Sequence, residues 1–570
     1  MTTQRALVIT AIALVTSLVP LYGTPPPELP TPLPPQIVLP TPPTPHFAVG
    51  VGPVTPPTPA IVGHMVISPT AAHSLLESFA SGKSLAIATE SASQTYLGTA
   101  DTAKRFVAAP DATIVQAMNL TCCDDALVEQ ETTLVMNTIG TTDYTTSAFM
   151  LYTGTAPNGV ATGNQVVVRS NSSAGARITT QLPSAYGANG RTGDPAIAEN
   201  PYPPSQSTIG PDRVYIAATD GYASHTPSRL AVWFSDNGGA WFFPAVTVKE
   251  ECCADANGHH HFEDKPTIAV SWNGGTLGKV YVAAVRIDLD STDYVHNPLE
   301  LVIFRSDNGG VSFVPTATLS SKATSTPQLV SNTPHAPQII VDQFNGNVYL
   351  IWLDWNTNMI YAAWSGPDAA SWTLLTPFAA GTFLYNSDLL SDPAGGTVQA
   401  RSMLNGRMNL YSGGRNIGVV WHARESTGLH ADVKYNALSL SSNTWIGTRT
   451  VSQIVNDGFD QWNGSLDHDG NGTVIVMYYD RRENSTYYRV YADVLNPDGT
   501  RPAGQVDTKV TLGAFSDPRR APLVSVAPIY YTLGEYMDTW WWRDWKSCYI
   551  YAPTYPYNGN CGIYESEVNP

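Results

Sequence analysis

The feature that most constrains this chain is an internal repeat. From about residue 126 to the C-terminus a unit recurs at intervals of roughly 60–75 residues. Each unit opens on a polar residue, often next to proline, then a short apolar run, a turn rich in Asn, Asp or Gly, and a second apolar run. The openings are QETTLVMN (130–137), GDPAIAEN (193–200), DKPTIAVSWNGG (264–275), HAPQIIVDQFNGNVYLIW (335–352) and DQWNGSLDHDGNGTVIVMYY (460–479). GRNIGVVWHA (414–423) is the second strand of a less regular unit, and GEYMDTWWW (534–542) begins the last. Runs of β-branched and aromatic residues read as strands, and few helical periods occur. Short sheets repeated at this interval pack radially, so the expectation is an all-β propeller of four-stranded blades over 126–570. Seven blades are expected, or six if the first or last unit is partial.

Two units carry nearly the same phrase, SDNGGAWFFP (235–244) and SDNGGVSFVP (306–315). It resembles the Asp-box, the bacterial neuraminidase (BNR) repeat of sialidase-like propellers, with the pattern Ser-x-Asp-x-Gly-x-Thr-Trp. Ser235, Asn237, Gly239 and Phe242 fill its places, as do Ser306, Asn308, Gly310 and Phe313; Asn stands for Asp and Phe for Trp. SGPDAASW (365–372) is a degenerate third copy. Gly supplies positive φ, Asn bonds the turn's own backbone, and the aromatic packs between strands. The resemblance implies a sialidase-like fold and a structural role for these boxes. It also implies, for an active member, an Arg-Ile-Pro motif, three arginines on a substrate carboxylate, a Tyr–Glu nucleophile pair and an Asp acid/base. No Arg-Ile-Pro occurs here. Arg401, Arg407, Arg415, Arg481, Arg482 and Arg543 are present but fall in no matching motif.

Candidate chemistry is read from the unit openings. Alignment by apolar runs puts Asp264, His335 and Asp460 at equivalent places with Gly193, and Asp194 and Glu131 one residue later. In a propeller these line one mouth of the central channel. The catalytic candidates, should this be a glycoside hydrolase, are Asp194, Asp264, Asp460 and Glu535. The competing expectation is that these groups cap strand starts. Candidate ligand-contacting residues are His335, Arg481 (in YYDRR), Tyr536, Trp540 and Trp542; the rings of the last unit would otherwise fill the space between blades.

The stretch CCADANGHHHFED (252–264) crowds imidazoles and carboxylates together. Alternate residues of an extended chain share a face, so a metal there would use Asp255, Asn257, His259 and His261, with an exposed polar loop as the alternative. Asp467, Asp469 and Asn471 in DHDGNG open like a calcium loop, without its later bidentate acid. Calcium or another divalent cation is therefore the cofactor to test.

The N-terminus addresses the chain. Arg5 precedes the apolar stretch Ala6–Val19, so 1–23 reads as a signal peptide, the alternative being an uncleaved anchor. Residues 24–63 are proline-dense and read as a stalk or linker. Residues 64–125 form an extension expected to lend a ring-closing strand. Six cysteines suit an oxidising compartment: Cys122-Cys123 and Cys252-Cys253 would form vicinal disulfides or bridge each other, and Cys548 with Cys561 would staple a late hairpin. Thirty Lys+Arg face 47 Asp+Glu, a net charge of −17 with no basic run, which argues against nucleic acid. The expected product is secreted or displayed at the surface, with a glycan or extracellular protein as partner and no membrane span after signal cleavage. It would serve in binding, adhesion or structure, with exo-sialidase-like hydrolysis as the alternative. Sequons occur at Asn119, Asn171, Asn463, Asn471 and Asn484.

Overall fold

The computed structural model describes the chain from Phe106 to Asn569 except for a set of connecting segments, with side chains described within Thr132–Thr539. The signal-peptide and stalk segments lie outside the described residues. The described residues all fall within the unit Met65–Pro570.

The fold is all-β, and among the described residues the only helical turn is the short 3-10 segment Gly187–Asn189. Six four-stranded blades follow one another in chain order, the lower of the two numbers the repeat allows. Their inner strands are Val128–Ile139, Arg191–Asn200, His261–Val270, Pro334–Val341, Leu404–Met408 and Gln461–His468. Each blade is antiparallel, and each inner strand packs beside the next. The space between blades six and one is taken by a sheet of different construction. Asp538–Trp541, Trp545–Tyr551 and Gly562–Asn569 supply three strands, and Ala112–Asn119 pairs with Gly562–Asn569 from the other end of the chain. The two ends of the unit thus share one sheet, which leaves the ring no open edge there. A small extra sheet joins Leu389–Ser391 and Thr397–Gln399 to Leu523–Ser525 and Ile529–Thr532.

The apolar runs are explained by where the faces go. In the second strand of blade three, Val280, Val282 and Ala284 pack toward blade two, while Tyr281, Ala283 and Val285 pack toward blade four. Blade sheets are buried on both faces, so their central strands read as continuous hydrophobic runs rather than alternating ones. The second strands of blades two, four and six are buried along their whole length.

The Asn-Gly turns join blades. Ser235 Oγ donates to Asn237 Oδ1 (2.7 Å) and accepts from Gly239 N (2.9 Å), and Ser306, Asn308 and Gly310 repeat this arrangement. Phe242 and Phe313 pack against the inter-blade cores on either side of blade two. Each turn then offers a carbonyl to the blade before it. Gly238 O accepts from Thr146 Oγ1 (2.9 Å), and Gly309 O from Arg213 Nη1 (2.9 Å) and Tyr215 OH (3.2 Å). Pro367 O, in the degenerate copy, accepts from Tyr281 OH (2.7 Å). The turn NPDGT (496–500) plays the same part without the phrase, because Pro497 O accepts from Tyr435 OH (3.0 Å) and Asn416 Nδ2 (3.2 Å). Gly310 has φ +84°, and a Cβ there would sit 2.8 Å from the Tyr215 ring. Gly310→Ala is expected to cost about 2 kcal/mol, read as a lower urea midpoint with unchanged slope.

Candidate functional site

The inner strands share a local distortion at one end. Blades two, three, four and six each carry a bulge whose leading residue is left-handed without being glycine: Asp194 (φ 51°), Lys265 (φ 48°), Ala336 (φ 47°) and Asn463 (φ 49°). Glu131 is the extra residue of a smaller irregularity in blade one. A bulge puts an extra residue on one strand and re-aims its side chain, a device frequent beside functional sites. Proline follows three of the four left-handed residues and glycine the fourth.

The residue paired just before the bulge is Gly193, Asp264, His335 or Trp462. The equivalence of Gly193, Asp264 and His335 therefore holds, whereas Asp460 lies two residues outside it and Trp462 takes the place. An open pocket lies behind the bulges, with Thr133, Ile197, Lys265, Gln338, Arg407 and Asp538 among its lining residues and a cavity volume of about 70 Å³.

Four carboxylates near this end are engaged. Asp194 forms an ion pair with Lys265 across the junction of blades two and three. Glu263 lies 3.1 Å from Arg286; burial pushes its carboxyl up and the guanidinium opposes the shift. Asp538, 3% exposed, accepts from Thr133 Oγ1 (3.0 Å), Leu134 N (3.0 Å) and Arg407 Nη2 (2.5 Å), tying the closing sheet to blades one and five. Asp460, 5% exposed, accepts from Ala431 N (2.9 Å) and has His430 Nδ1 at 3.9 Å. Burial raises its proton affinity, and the Ala431 N–H, His430, Arg481 and Arg424 offset part of that.

His335 is buried, its ring 3.7 Å from that of Trp355 between centroids. Arg481 is buried beside Asp460, its N–H donating to Asp460 O (3.2 Å). Arg482 makes the structural ion pair of YYDRR, with Nε 2.8 Å from Asp480 Oδ2. Glu535, Tyr536 and Trp542 lie outside the described residues, and the Trp540 side chain does too.

The metal candidates are distributed rather than gathered. His259 and His261 bond different carboxylates, Asp288 and Asp255, and Asn257 is outside the described residues. Asp467 Oδ1 accepts from His468 N (2.9 Å) and Asp469 Oδ1 from Thr473 N (2.7 Å), so both serve the turn between two strands; Asn471 is undescribed. Among the described residues no three His, Cys, Asp or Glu are arranged to hold a metal ion. Cys253 is exposed, and the side chains of the other five cysteines are outside the description. Asn463 is a sequon by pattern only, being 2% exposed within a bulge.

Sequence reasoning missed Lys265, His430, Asp538 and Trp355, and named Arg407 only as an arginine in no matching motif. Lys265 had a visible signal, standing before proline one place after Asp264. The others are set by contacts between distant segments and had none.

No family model matches the chain, and no curated protein matches it. Parts of it are similar to solved structures. One is a leech intramolecular trans-sialidase complexed with 2,7-anhydro-Neu5Ac, at 11% identity and TM-score 0.39, over 69% of each chain. A second is the Ruminococcus gnavus intramolecular trans-sialidase with oseltamivir carboxylate, at 10% identity and TM-score 0.40, over 66% of this chain and 96% of that one. A third is a Penicillium chrysogenum α-L-arabinanase complexed with arabinobiose, at 10% identity and TM-score 0.32, over 54% and 92%. The propeller is assigned from this chain's own sheet order, and no residue role is transferred from these proteins.

Proposed function

We propose that this chain is a secreted or surface-displayed, sialidase-like propeller of the Asp-box kind that binds glycans at the mouth of its channel without cleaving them. One observation supports the non-catalytic part: four described carboxylates at and around the channel, Asp194, Glu263, Asp538 and Asp460, each have a nearby cation or backbone donor. Asp194 has Lys265, Glu263 has Arg286, Asp538 has Arg407, and Asp460 has Ala431 N and His430. A glycosidase needs two carboxyl groups facing one open pocket, about 5–5.5 Å or roughly 6.5–9.5 Å apart. Binding at the surface asks less: an aromatic plate and a few polar groups.

A glycan array probed with the whole chain tests this reading. Binding to at least one glycan class is expected. An array blank for every glycan class would remove the proposal. Hydrolysis is the second reading, favoured by Asp460, whose burial keeps a proton on it more readily than on an exposed carboxyl.

A further inference from the structure

The turns between the third and fourth strands of blades two, three and four repeat one another, and the repeats differ at one exposed place. In each turn one aromatic packs inward: Phe242, Phe313 or Trp372, the last with Nε1 donating to Ala369 O (2.9 Å). The residue just before it faces solvent. Ser312 and Ser371 hold that place in blades three and four, whereas blade two has Trp241, 49% exposed. The turn does not call for the indole, because backbone alone makes the shared bond: Trp241 N donates to Asn237 Oδ1 (3.1 Å) as Ser312 N does to Asn308 Oδ1 (2.9 Å). The ring is nonetheless held still. It lies edge-on to Phe243 (centroids 4.4 Å), which packs on Phe234 (4.8 Å), beside the Arg213 guanidinium (4.2 Å). Exchange of Ser for Trp also frees an amide. In blade three Asn308 Nδ2 donates to Ser312 Oγ (2.9 Å). Trp241 has no hydroxyl to offer, and among the described residues no acceptor takes Asn237 Nδ2, whose orientation is set by the Trp241 N–H and Ser235 Oγ on the amide oxygen.

We infer that Trp241 and Asn237 form a platform for an uncharged pyranose ring, on the flank where blade two meets blade one. A half-bare indole gains by covering its face, and one already immobilised loses little freedom on doing so. The amide beside it donates and needs an oxygen to accept. A sugar ring meets both demands, with a face of C–H groups to stack on the indole and hydroxyl oxygens at its edge. Asp236, next in sequence to Asn237, is paired with Arg213 (Nη2 to Oδ2 2.8 Å), so the surroundings suit a neutral sugar. Thr180 Oγ1 donates to Ala240 O (3.3 Å), which brings blade one's outer strand, Arg177–Gln181, to the border of the platform. Ile178, 37% exposed, stands two residues before Thr180 on the same strand face. Trp241 and Ile178 together span about one or two sugar rings, well short of the roughly 800 Å² per partner of a protein interface. Neither Trp241 nor Asn237 lines the pocket behind the bulges, so the platform does not rest on what the channel mouth binds.

Hydroxyl-radical footprinting of the whole chain reads the platform directly. The probes are hexasaccharides of β-linked glucose, galactose and mannose, each at about 10 mM, a concentration suited to a site for one ring. At least one is expected to lower oxidation of Trp241 about threefold, with no change at Phe344, 46% exposed on blade four. Protection by none of the three overturns the inference. So does protection that rises with protein concentration alone, which would assign the ring to a second copy of the chain. With the protecting sugar, calorimetry should show Trp241→Ser binding about tenfold more weakly at an unchanged urea midpoint, since Ser312 and Ser371 already serve in that place. Asn237→Asp keeps the oxygen and loses the donor, and should weaken binding about threefold. Native affinity in either variant also overturns the inference.

Discussion

Asp538→Ala is expected to remove about 3–5 kcal/mol of stability, the cost of leaving a buried ion pair with one member. The carboxylate takes hydrogen bonds from Thr133 Oγ1, Leu134 N and Arg407 Nη2, drawn from blade one and blade five, while it sits at the start of the strand that closes the ring. Its neighbour Thr539 adds a contact to blade six, with Oγ1 2.6 Å from Ser465 Oγ. Truncation therefore removes the ion-pair partner of Arg407 and releases the closing sheet from blades one and five at once. Guanidinium unfolding of the native and substituted chains measures the loss. Asp538→Asn, which keeps the shape and most acceptors but not the charge, should fall between them. A change under about 0.5 kcal/mol, the range of ordinary surface substitutions, would contradict this account of ring closure.

Acid should destabilise the fold well before carboxylates titrate. His422 and His468 are fully enclosed, and burial holds their pKa values down to about 4 and about 3. His422 Nδ1 accepts from Asn463 N (3.3 Å), which requires a neutral ring. The sign follows from the reference state: the unfolded chain takes up these protons below about pH 6.5 while the folded one does not. Stability is therefore complete above 6.5 and falls as pH drops towards 4. At about 1.4 kcal/mol per pKa unit, His422 alone accounts for roughly 3 kcal/mol by pH 4. Urea midpoints taken from neutral pH down to about 4.5 should decline, and His468→Gln should flatten the decline by about half.

Much of the fold is legible in the sequence because blade sheets are buried on both faces, which writes continuous apolar runs such as VYVAAV (280–285) into every second strand. The inter-blade turns are legible where SDNGG marks them and invisible at NPDGT, where the same carbonyl hook is made by other residues. The bulges are legible through proline. Pro195, Pro266 and Pro337 each follow a left-handed residue, but blade six has Gly464, since a Cβ there would lie 2.8 Å from Val420 and 2.9 Å from Val433. Without that proline the alignment slid by two residues and set Asp460 where Trp462 belongs. The channel's ion pairs were not legible, because Asp538 meets Thr133 across 405 positions of chain and Arg407 across 131. The histidine run shows the same limit. Spacing paired His259 with His261 on one metal, whereas Asp288 and Asp290 arrive from another strand and divide the imidazoles between them.

The central claim is that the mouth holds its carboxylates in pairs and so binds without cleaving. A panel of fluorogenic glycosides, sialosides and arabinosides among them, incubated with the whole chain between about pH 4.5 and 8, tests it most directly. Release no faster than in buffer is the predicted result. Turnover that disappears in Asp460→Asn would contradict it and make that buried carboxyl the acid of a hydrolase.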